Sequence, residues 1–244
     1  MAGEGSGGRP GNDGSGIARR ASPARLAAAA SLRRLGNAVV AHEAPDALLE
    51  RLAATADGVL ADVEAAPPRD RPVGTLGRRF EQVPADGTVL DHFPDCVVSG
   101  HANPLGIAIT VHREGDDAVA RVVLGAAFEG APGRAHGGVV AAIFDDTLGF
   151  VLDIVDVPAY TGRLSVSYLA PAPVHEEIEF RARLRHREGR KLLLEGEAIV
   201  AGARIAEAEG LFIAIAAGQT SRAGRHETCR PRRGPLQRQT QSSE

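Results

Sequence analysis

The most constraining feature of this 244-residue chain is one helical segment that lies between two β-rich regions. From Gly137 to Val155, mostly apolar residues recur three and four positions apart, so a broad face of the predicted helix is apolar. These residues are Val140, Ile143, Phe144, Thr147, Leu148, Val151, Leu152 and Val155. A helix of this kind must be largely buried, and the rest of the fold has to supply the surface that covers it.

Segments with period-two patterns, rich in β-branched residues, flank the helix and predict strands. Two precede the helix and four follow it, at 106–113, 118–128, 160–169, 175–187, 190–201 and 203–216. Short glycine-containing segments between several of them predict tight turns. The order predicts an α+β fold in which an antiparallel sheet packs one face against a single helix and curls around it.

Two further helices are predicted near the N-terminus, from Arg25 to about His42 and from about Pro45 onwards. The second carries an apolar stripe with Asp46 in its first turn, where a carboxylate favours the helix dipole. It ends at the prolines of AAPPRDRPVG, because proline cannot continue a helix. This helical extension is open to three interpretations: it packs on the outside of the fold, closes the site as a lid, or mediates further oligomerisation.

The composition along the chain predicts five regions. A Gly- and Ser-rich leader (1–24) is expected to be disordered, followed by the helical extension (25–66), a linker (67–95), the α+β domain (96–217) and a disordered basic tail (218–244). The leader contains Arg19-Arg20 before LAAAASL, but this run is short and closed by Arg33-Arg34, which disfavours an export signal or a mitochondrial presequence. No stretch approaches the ~20 apolar residues of a membrane span, so we expect a cytoplasmic protein.

Charge and aromatic content make nucleic acid an unfavoured partner. Aromatic residues are 4% of the chain and there is no Trp, which disfavours recognition of single strands by base stacking. The net charge is −3, and both ends of the chain are basic, so the central residues are more acidic than the chain as a whole. An acidic centre does not favour a surface that binds DNA or RNA.

The cysteine content predicts neither a disulfide framework nor a zinc site. Cys96 and Cys229 lie far apart in the sequence, and two thiols are too few for a cysteine zinc site.

The segment APGRAHGGVVAAIFDD at 131–146 holds the residues best suited to chemistry. The buried helix begins at His136, Gly137 and Gly138. N–H groups without a helical partner and the positive end of the helix dipole can stabilise an oxyanion at this end. Asp145 follows about two turns along the helix, where a buried carboxylate could act as a base. Each feature alone also has a structural interpretation as a helix cap, a turn or a solvated helix face. Asp146 is the competing carboxylate, but adjacent helical residues point about 100° apart, so we expect only one to face the site.

Several segments of this sequence together resemble a known family, the hotdog-fold thioesterases of the PaaI-like branch. The resemblance rests on HGGVVAAIFDDTLG, on YTGRLSVSYLAPAP at 160–173 and on EGRK at 188–191, and it extends to FEGAPGRAHGG at 128–138. CVVSGHANPLGIAI at 96–109 also matches a family segment, except that Ser99 stands where the family has a second Cys. The resemblance covers 96–216 and implies a hotdog fold with an N-terminal helical extension.

This resemblance implies hydrolysis of an acyl-CoA thioester at a dimer interface, without metal or cofactor. Asp145 matches the family's general base or nucleophile, and the N–H of Gly137, after His136, matches the donor that polarises the thioester carbonyl. Gly138 is expected to contact the substrate beside it. Thr161 matches the hydroxyl residue that orients the attacking water from the opposite protomer. An Asn or Gln that some members use is replaced here by Gly130.

Substrate contacts are less specific in the sequence. Arg163, Arg190 and Lys191, the only lysine, are candidates for the CoA phosphates, although an ordinary exposed β-surface explains them equally well. Phe144 and Leu148 are expected to line an apolar slot for the acyl chain. Because a sheet wrapped on one helix leaves an edge strand, we expect a homodimer, with a dimer of dimers as a further alternative.

Two other function classes are weighed against the thioesterase. A non-catalytic acyl-CoA-binding hotdog module is disfavoured because binding alone needs neither Asp145 nor Thr161. A hotdog hydratase or dehydratase is also disfavoured. Such enzymes use a His together with an acidic residue in a different arrangement, and apart from His136 the sequence offers no candidate for this pair.

Overall fold

The computed structural model describes residues 21–69, 83–91 and 93–215. Its helices are α1 (Pro23–Ala41), α2 (Asp46–Ala65) and α3 (Gly137–Ile154). The strands are β1 (Val89–Leu90), β2 (Thr110–Glu114), β3 (Asp117–Val123), β4 (Glu129–Ala131), β5 (Arg134–Ala135), β6 (Ala159–Tyr168), β7 (Glu177–Glu188), β8 (Lys191–Val200) and β9 (Ala203–Ala214). The predicted tail, most of the predicted leader and residues 70–82 of the predicted linker lie outside the described residues.

Seven strands form one antiparallel sheet in the order β1-β2-β3-β7-β8-β9-β6, and β4 and β5 form a separate small hairpin. The hairpin between β8 and β9 turns at Ala201 and Gly202, which have φ angles of 48° and 82°. Such positive φ values suit glycine and fit the twist of antiparallel strands. The ten residues of β6 form one edge of the large sheet, and β1 forms the other.

The core lies between α3 and the inner face of the large sheet. Phe144 of α3 meets Phe180 of β7 edge-on, with ring centroids 5.0 Å apart, and both side chains are fully buried. Gly210 of β9 allows the close approach of the helix, since a Cβ there would lie 3.1 Å from Leu148 Cδ1 and 2.7 Å from Phe212 Cε2. The predicted α+β hotdog fold, a sheet wrapped around one long helix, is confirmed.

Two predicted strands before the helix are shorter than expected. The predicted strand at 106–113 begins only at Thr110. The N–H groups of Ile107 and Ile109 instead donate hydrogen bonds to the carbonyl oxygens of Val97 and Val98, which lie in a loop. The predicted strand at 118–128 ends at Val123 and continues into a short 3-10 turn at Ala126–Phe128. There the chain leaves the sheet and docks against α1 instead.

Both N-terminal helices are present, and α1 packs on the domain that follows. Arg33 of α1 donates to the carbonyls of His101 and Asn103, at 3.0 and 2.6 Å. Asn37 accepts a hydrogen bond from the N–H of Ala127 at 3.2 Å. In contrast, α2 buries none of its residues. None of the described helices is long and apolar enough to cross a membrane.

Candidate active site

The first turn of α3 is held by side chains on both sides. His136 caps the helix, its Nδ1 accepting the Gly138 N–H at 3.0 Å, while its carbonyl accepts the N–H groups of Val139 and Val140. The hydroxyl of Tyr168, at the end of β6, donates to the carbonyl oxygen of Gly137 at 2.7 Å. The peptide group between Gly137 and Gly138 is therefore hydrogen-bonded at both its oxygen and its N–H.

This arrangement singles out one N–H group at the positive end of the helix. Among the described residues, none accepts a hydrogen bond from the N–H of Gly137. Gly137 lines an open cleft together with His136, Tyr168 and the segment 169–172. The N–H of Gly138, in contrast, is donated to His136. Of the two glycines expected at the substrate, only Gly137 keeps a donor that can polarise a carbonyl.

The carboxylate of Asp145 lies in a second, smaller cleft of about 200 Å³ near the middle of α3. Its Oδ1 accepts a hydrogen bond from Thr161 Oγ1 at 3.0 Å. The cleft is lined by Phe93, Cys96, Ser99, Asp145, Asp146, Gly149, Leu152, Ala159, Tyr160, Thr161 and Phe212. Thr161 and Asp145 of the same chain meet here because β6 crosses α3 at this point. That Thr161 orients the attacking water from the opposite protomer stays a prediction.

Both adjacent aspartates line this cleft, although their offset of about 100° on the helix predicts that only one faces the site. Asp146 lines the same cleft as Asp145, and its Oδ1 accepts a hydrogen bond from Cys96 Sγ at 3.5 Å. The physical reason is the loop before β2, which passes over α3 and closes the side of the cleft to which Asp146 points. Asp145 faces a hydroxyl and Asp146 faces a thiol, so the two carboxylates differ in their hydrogen-bond partners.

Within one chain, Gly137 and Asp145 do not face a common cavity. The two clefts share no lining residue. Eight residues of helix separate them, which is about 12 Å along the axis. A single thioester carbonyl cannot contact both groups of the same chain at once.

The structure places Phe144 in the core and not in either cleft. Its side chain is fully buried against Phe180 and lies beneath Gly196, where a Cβ would come within 3.2 Å of its ring. Leu148 is also fully buried. Both face the sheet, because the apolar stripe of α3 is what the sheet covers, and in a single chain they do not form the expected acyl slot.

The three cations predicted to bind phosphate line neither cleft. Arg163 is exposed on the edge strand β6, and Arg190 Nε donates to the carbonyl of Ala214 at 2.9 Å. Lys191 precedes the buried Leu192 on β8, so it points to the outer face of the sheet. The structure does not bring these residues together with Asp145.

Sequence reasoning missed two residues of the site, Tyr168 and Cys96. The alternation of Leu164, Val166 and Tyr168 predicts that Tyr168 shares the helix-facing side of its strand, but its partner on α3 depends on how the sheet curls. Cys96 lies in an irregular loop, for which periodicity carries no signal. Among the described residues, no group of three or more His, Cys, Asp or Glu side chains could hold a metal ion.

Comparison with known proteins gives a consistent similarity. Residues 132–206 match the model of the thioesterase superfamily. The chain is 34% identical over 89 residues to acyl-coenzyme A thioesterase THEM4 of Mus musculus, a match that covers 36% of this chain and 38% of the relative. The chain therefore spans well under half the length of that relative.

Solved structures extend the similarity beyond this segment. A crystal structure of a thioesterase superfamily protein superposes with a TM-score of 0.68 at 26% identity, covering 79% of this chain and 92% of the other. The E. coli PaaI protein from the phenylacetic acid degradation operon gives a TM-score of 0.38 at 16% identity, over 40% of this chain and 75% of PaaI. The first comparison includes more of this chain than the predicted hotdog domain alone.

Proposed function

We propose that this chain, whose residues 132–206 match the model of the thioesterase superfamily, hydrolyses an acyl-CoA thioester to a carboxylic acid and free CoA. The observation that carries the proposal is the hydrogen bond of 3.0 Å from Thr161 Oγ1 to Asp145 Oδ1, in a cleft beside the middle of α3. A carboxylate held by a hydroxyl at the edge of a cleft is suited to activate water or to attack a carbonyl.

In the proposed reaction the thioester carbonyl accepts a hydrogen bond from the N–H of Gly137, which stabilises the negative charge that develops on its oxygen. Asp145 either takes a proton from the attacking water or attacks the carbonyl carbon itself and is then released by water. In the first route the oxygen of water bonds to the carbonyl carbon, and the tetrahedral intermediate collapses as the C–S bond breaks, with the proton held by Asp145 passing to the leaving sulfur. In the second route CoA leaves as the thiolate when the mixed anhydride with Asp145 forms. Water then splits the anhydride, which gives the carboxylic acid, the free Asp145 carboxylate and the proton that the thiolate takes up. Thr161 positions the carboxylate.

We further propose that two copies of the chain complete each site. The edge strand β6 is long and mostly exposed, and pairing it with its twin would satisfy its open backbone groups. Gly137 and Asp145 face separate clefts in one chain. A two-fold dimer resolves this if Asp145 and Thr161 of one copy work with Gly137 of the other.

Replacing Gly137 by proline is expected to reduce kcat about 100-fold, because it deletes the N–H proposed to polarise the carbonyl. Proline is well tolerated at the first position of a helix, and a Cβ at Gly137 would lie 3.4 Å from the Tyr168 ring, an ordinary contact. The measurement is steady-state thiol release, with circular dichroism to verify the fold. A Gly137→Pro protein with the wild-type kcat would remove Gly137 from the mechanism.

Mixing two inactive variants tests the shared site. In a hybrid of Asp145→Asn and Gly137→Pro chains, one of the two sites keeps both groups intact if they come from different copies. A co-refolded equal mixture is then expected to recover about one quarter of the wild-type activity. No recovery in a mixture shown to contain hybrid dimers would place both groups of a site in one chain.

Thr161→Ala is expected to lower kcat about tenfold with a smaller change in KM, because the hydroxyl orients the carboxylate only for the chemical step. The measurement is a full Michaelis curve for the variant beside the wild type. Ser165→Ala, a hydroxyl deletion on the outward side of the same strand, serves as the matched control. A rise in KM at unchanged kcat would assign Thr161 to substrate binding instead.

The substrate class is tested by thiol release from short, medium, long and aromatic acyl-CoAs, followed with a thiol-reactive dye. Turnover of at least one class, absent from the Asp145→Asn protein, is the expected result. Tight binding of an acyl-CoA without turnover of any would overturn the proposed hydrolysis and favour a non-catalytic acyl-CoA-binding module.

A further inference from the structure

A groove separate from both clefts lies between α1 and the loops that precede β2 and follow β3. Its volume is about 640 Å³. It is lined by Ala30, Arg33, Arg34, Asn37, Ala38, Ala41, His42, His101, Gly106, Ile107, Ala108, Val123, Gly125, Ala126, Phe128 and His175. One wall of this groove therefore comes from the helical extension, whose role the sequence leaves open.

The charged residues that line the groove are all basic. Two arginines and three histidines line it, and none of the described residues that line it is Asp or Glu. The chain as a whole has a net charge of −3, so this surface stands out from an acidic protein. A concave surface lined by one sign of charge concentrates ions of the opposite sign.

The two arginines are held close together on α1. Arg33 is fixed by its hydrogen bonds to the carbonyls of His101 and Asn103, and Arg34 donates to Ser31 Oγ at 3.0 Å. Burial, and then repulsion from Arg34, lowers the pKa of the Arg33 guanidinium. Both partners of Arg33 are neutral carbonyls, so an anion in the groove would relieve the repulsion between the two cations.

The groove also lies next to the proposed oxyanion donor. Phe128 lines the groove, and its carbonyl accepts the N–H of His136 at 2.8 Å. Gly130, two residues further along, lines the cleft of Gly137. The segment 128–130 therefore contributes one residue to the groove and one to the cleft of Gly137, so the two surfaces are neighbours.

We propose that this groove binds the phosphate groups of the nucleotide end of CoA, with Arg34 as a direct contact. The inference rests on the proposed function, since it assigns the anionic end of the same substrate. Guanidinium groups form paired, charge-assisted hydrogen bonds with phosphate oxygens. It is an alternative to the predicted phosphate contacts Arg163, Arg190 and Lys191, none of which lines this groove.

The test is calorimetric titration of the full-length protein with adenosine 3′,5′-bisphosphate, which carries the 3′-phosphate and the first of the two 5′-phosphates of CoA without the thioester. Arg34→Gln is expected to weaken binding about tenfold, since one charge-assisted contact is lost. Arg51→Gln, an exposed arginine of α2 outside the groove, is the matched control and is expected to bind as the wild type does. Unchanged affinity in Arg34→Gln, or a loss at Lys191→Gln instead, would overturn the proposal.

Two further experiments distinguish the nucleotide end of CoA from other anions as the ligand. Inorganic phosphate is expected to bind much more weakly than the nucleotide, and equal affinities would reduce the groove to a general anion site. In turnover, Arg34→Gln is expected to raise KM for an acyl-CoA about tenfold but leave KM for the matching acyl-pantetheine unchanged. If the protein has no thioesterase activity but binds the nucleotide through Arg34, the proposed function fails while the groove assignment stands.

Discussion

Asp145→Asn is expected to lower kcat for acyl-CoA hydrolysis about 1000-fold, the scale of losing a positioned general base. The amide has nearly the shape of the carboxylate and can still accept the Thr161 hydroxyl hydrogen bond, so the fold should be preserved. It can neither take a proton from water nor attack a carbonyl carbon. The measurement is thiol release at saturating substrate, with circular dichroism and light scattering to verify fold and assembly.

Asp146→Asn is the matched control for this experiment. Asp146 lines the same cleft and lies next to Asp145 in sequence, but its Oδ1 accepts from the Cys96 thiol. We therefore expect only a mild loss of activity. Full activity in a well-folded Asp145→Asn protein would refute the mechanism, and a larger loss at Asp146 would exchange the roles of the two carboxylates.

Phe144→Ala is expected to lower the free energy of unfolding by about 4 kcal/mol, the usual cost of emptying a buried aromatic site. Its ring is fully buried and meets Phe180 edge-on at 5.0 Å. The surrounding sheet cannot collapse into the space, because β7, β8 and β9 are held by their ladders. The measurement is urea unfolding at one fixed protein concentration, since dissociation of a dimer would otherwise contribute.

Leu105→Ala is the control for packing, because Leu105 is 85% exposed. Its effect is expected to stay within about 0.5 kcal/mol. If Phe144→Ala kept the wild-type stability but changed the preferred acyl chain length, Phe144 would belong to the acyl slot that the sequence predicts and not to the core.

The helices show how far local patterns predict this fold. The segment predicted from Gly137 to Val155 is a helix from Gly137 to Ile154, because its apolar period is long and its start is marked by His136 and glycines. The strand predicted at 106–113 shows the limit, since Ile107 and Ile109 alternate as in a strand but hydrogen-bond to a loop. Alternation indicates which side of the backbone is buried, but not what the backbone pairs with.

For the candidate site, too, the sequence predicts some of the residues but not the contacts between them. The local motifs point to Asp145, and the resemblance names Thr161, which the structure brings within 3.0 Å of it. Those motifs also point to Gly137 at the helix start. They do not predict that Asp146 shares the cleft with Cys96, or that Tyr168 binds the Gly137 carbonyl. These contacts join residues far apart in sequence.

The sequence by itself determined the three helices, the long strands that follow α3, the buried face of α3 and the residue types at its start and middle, because helix and strand periods and caps are local properties of the chain. Only the tertiary structure decided which side chains meet. The curl of the sheet brings Thr161 to Asp145, and the docking of α1 creates the groove around Arg33 and Arg34. The physical reason is that such contacts depend on strand order, twist and loop paths, which are set by packing across the whole domain.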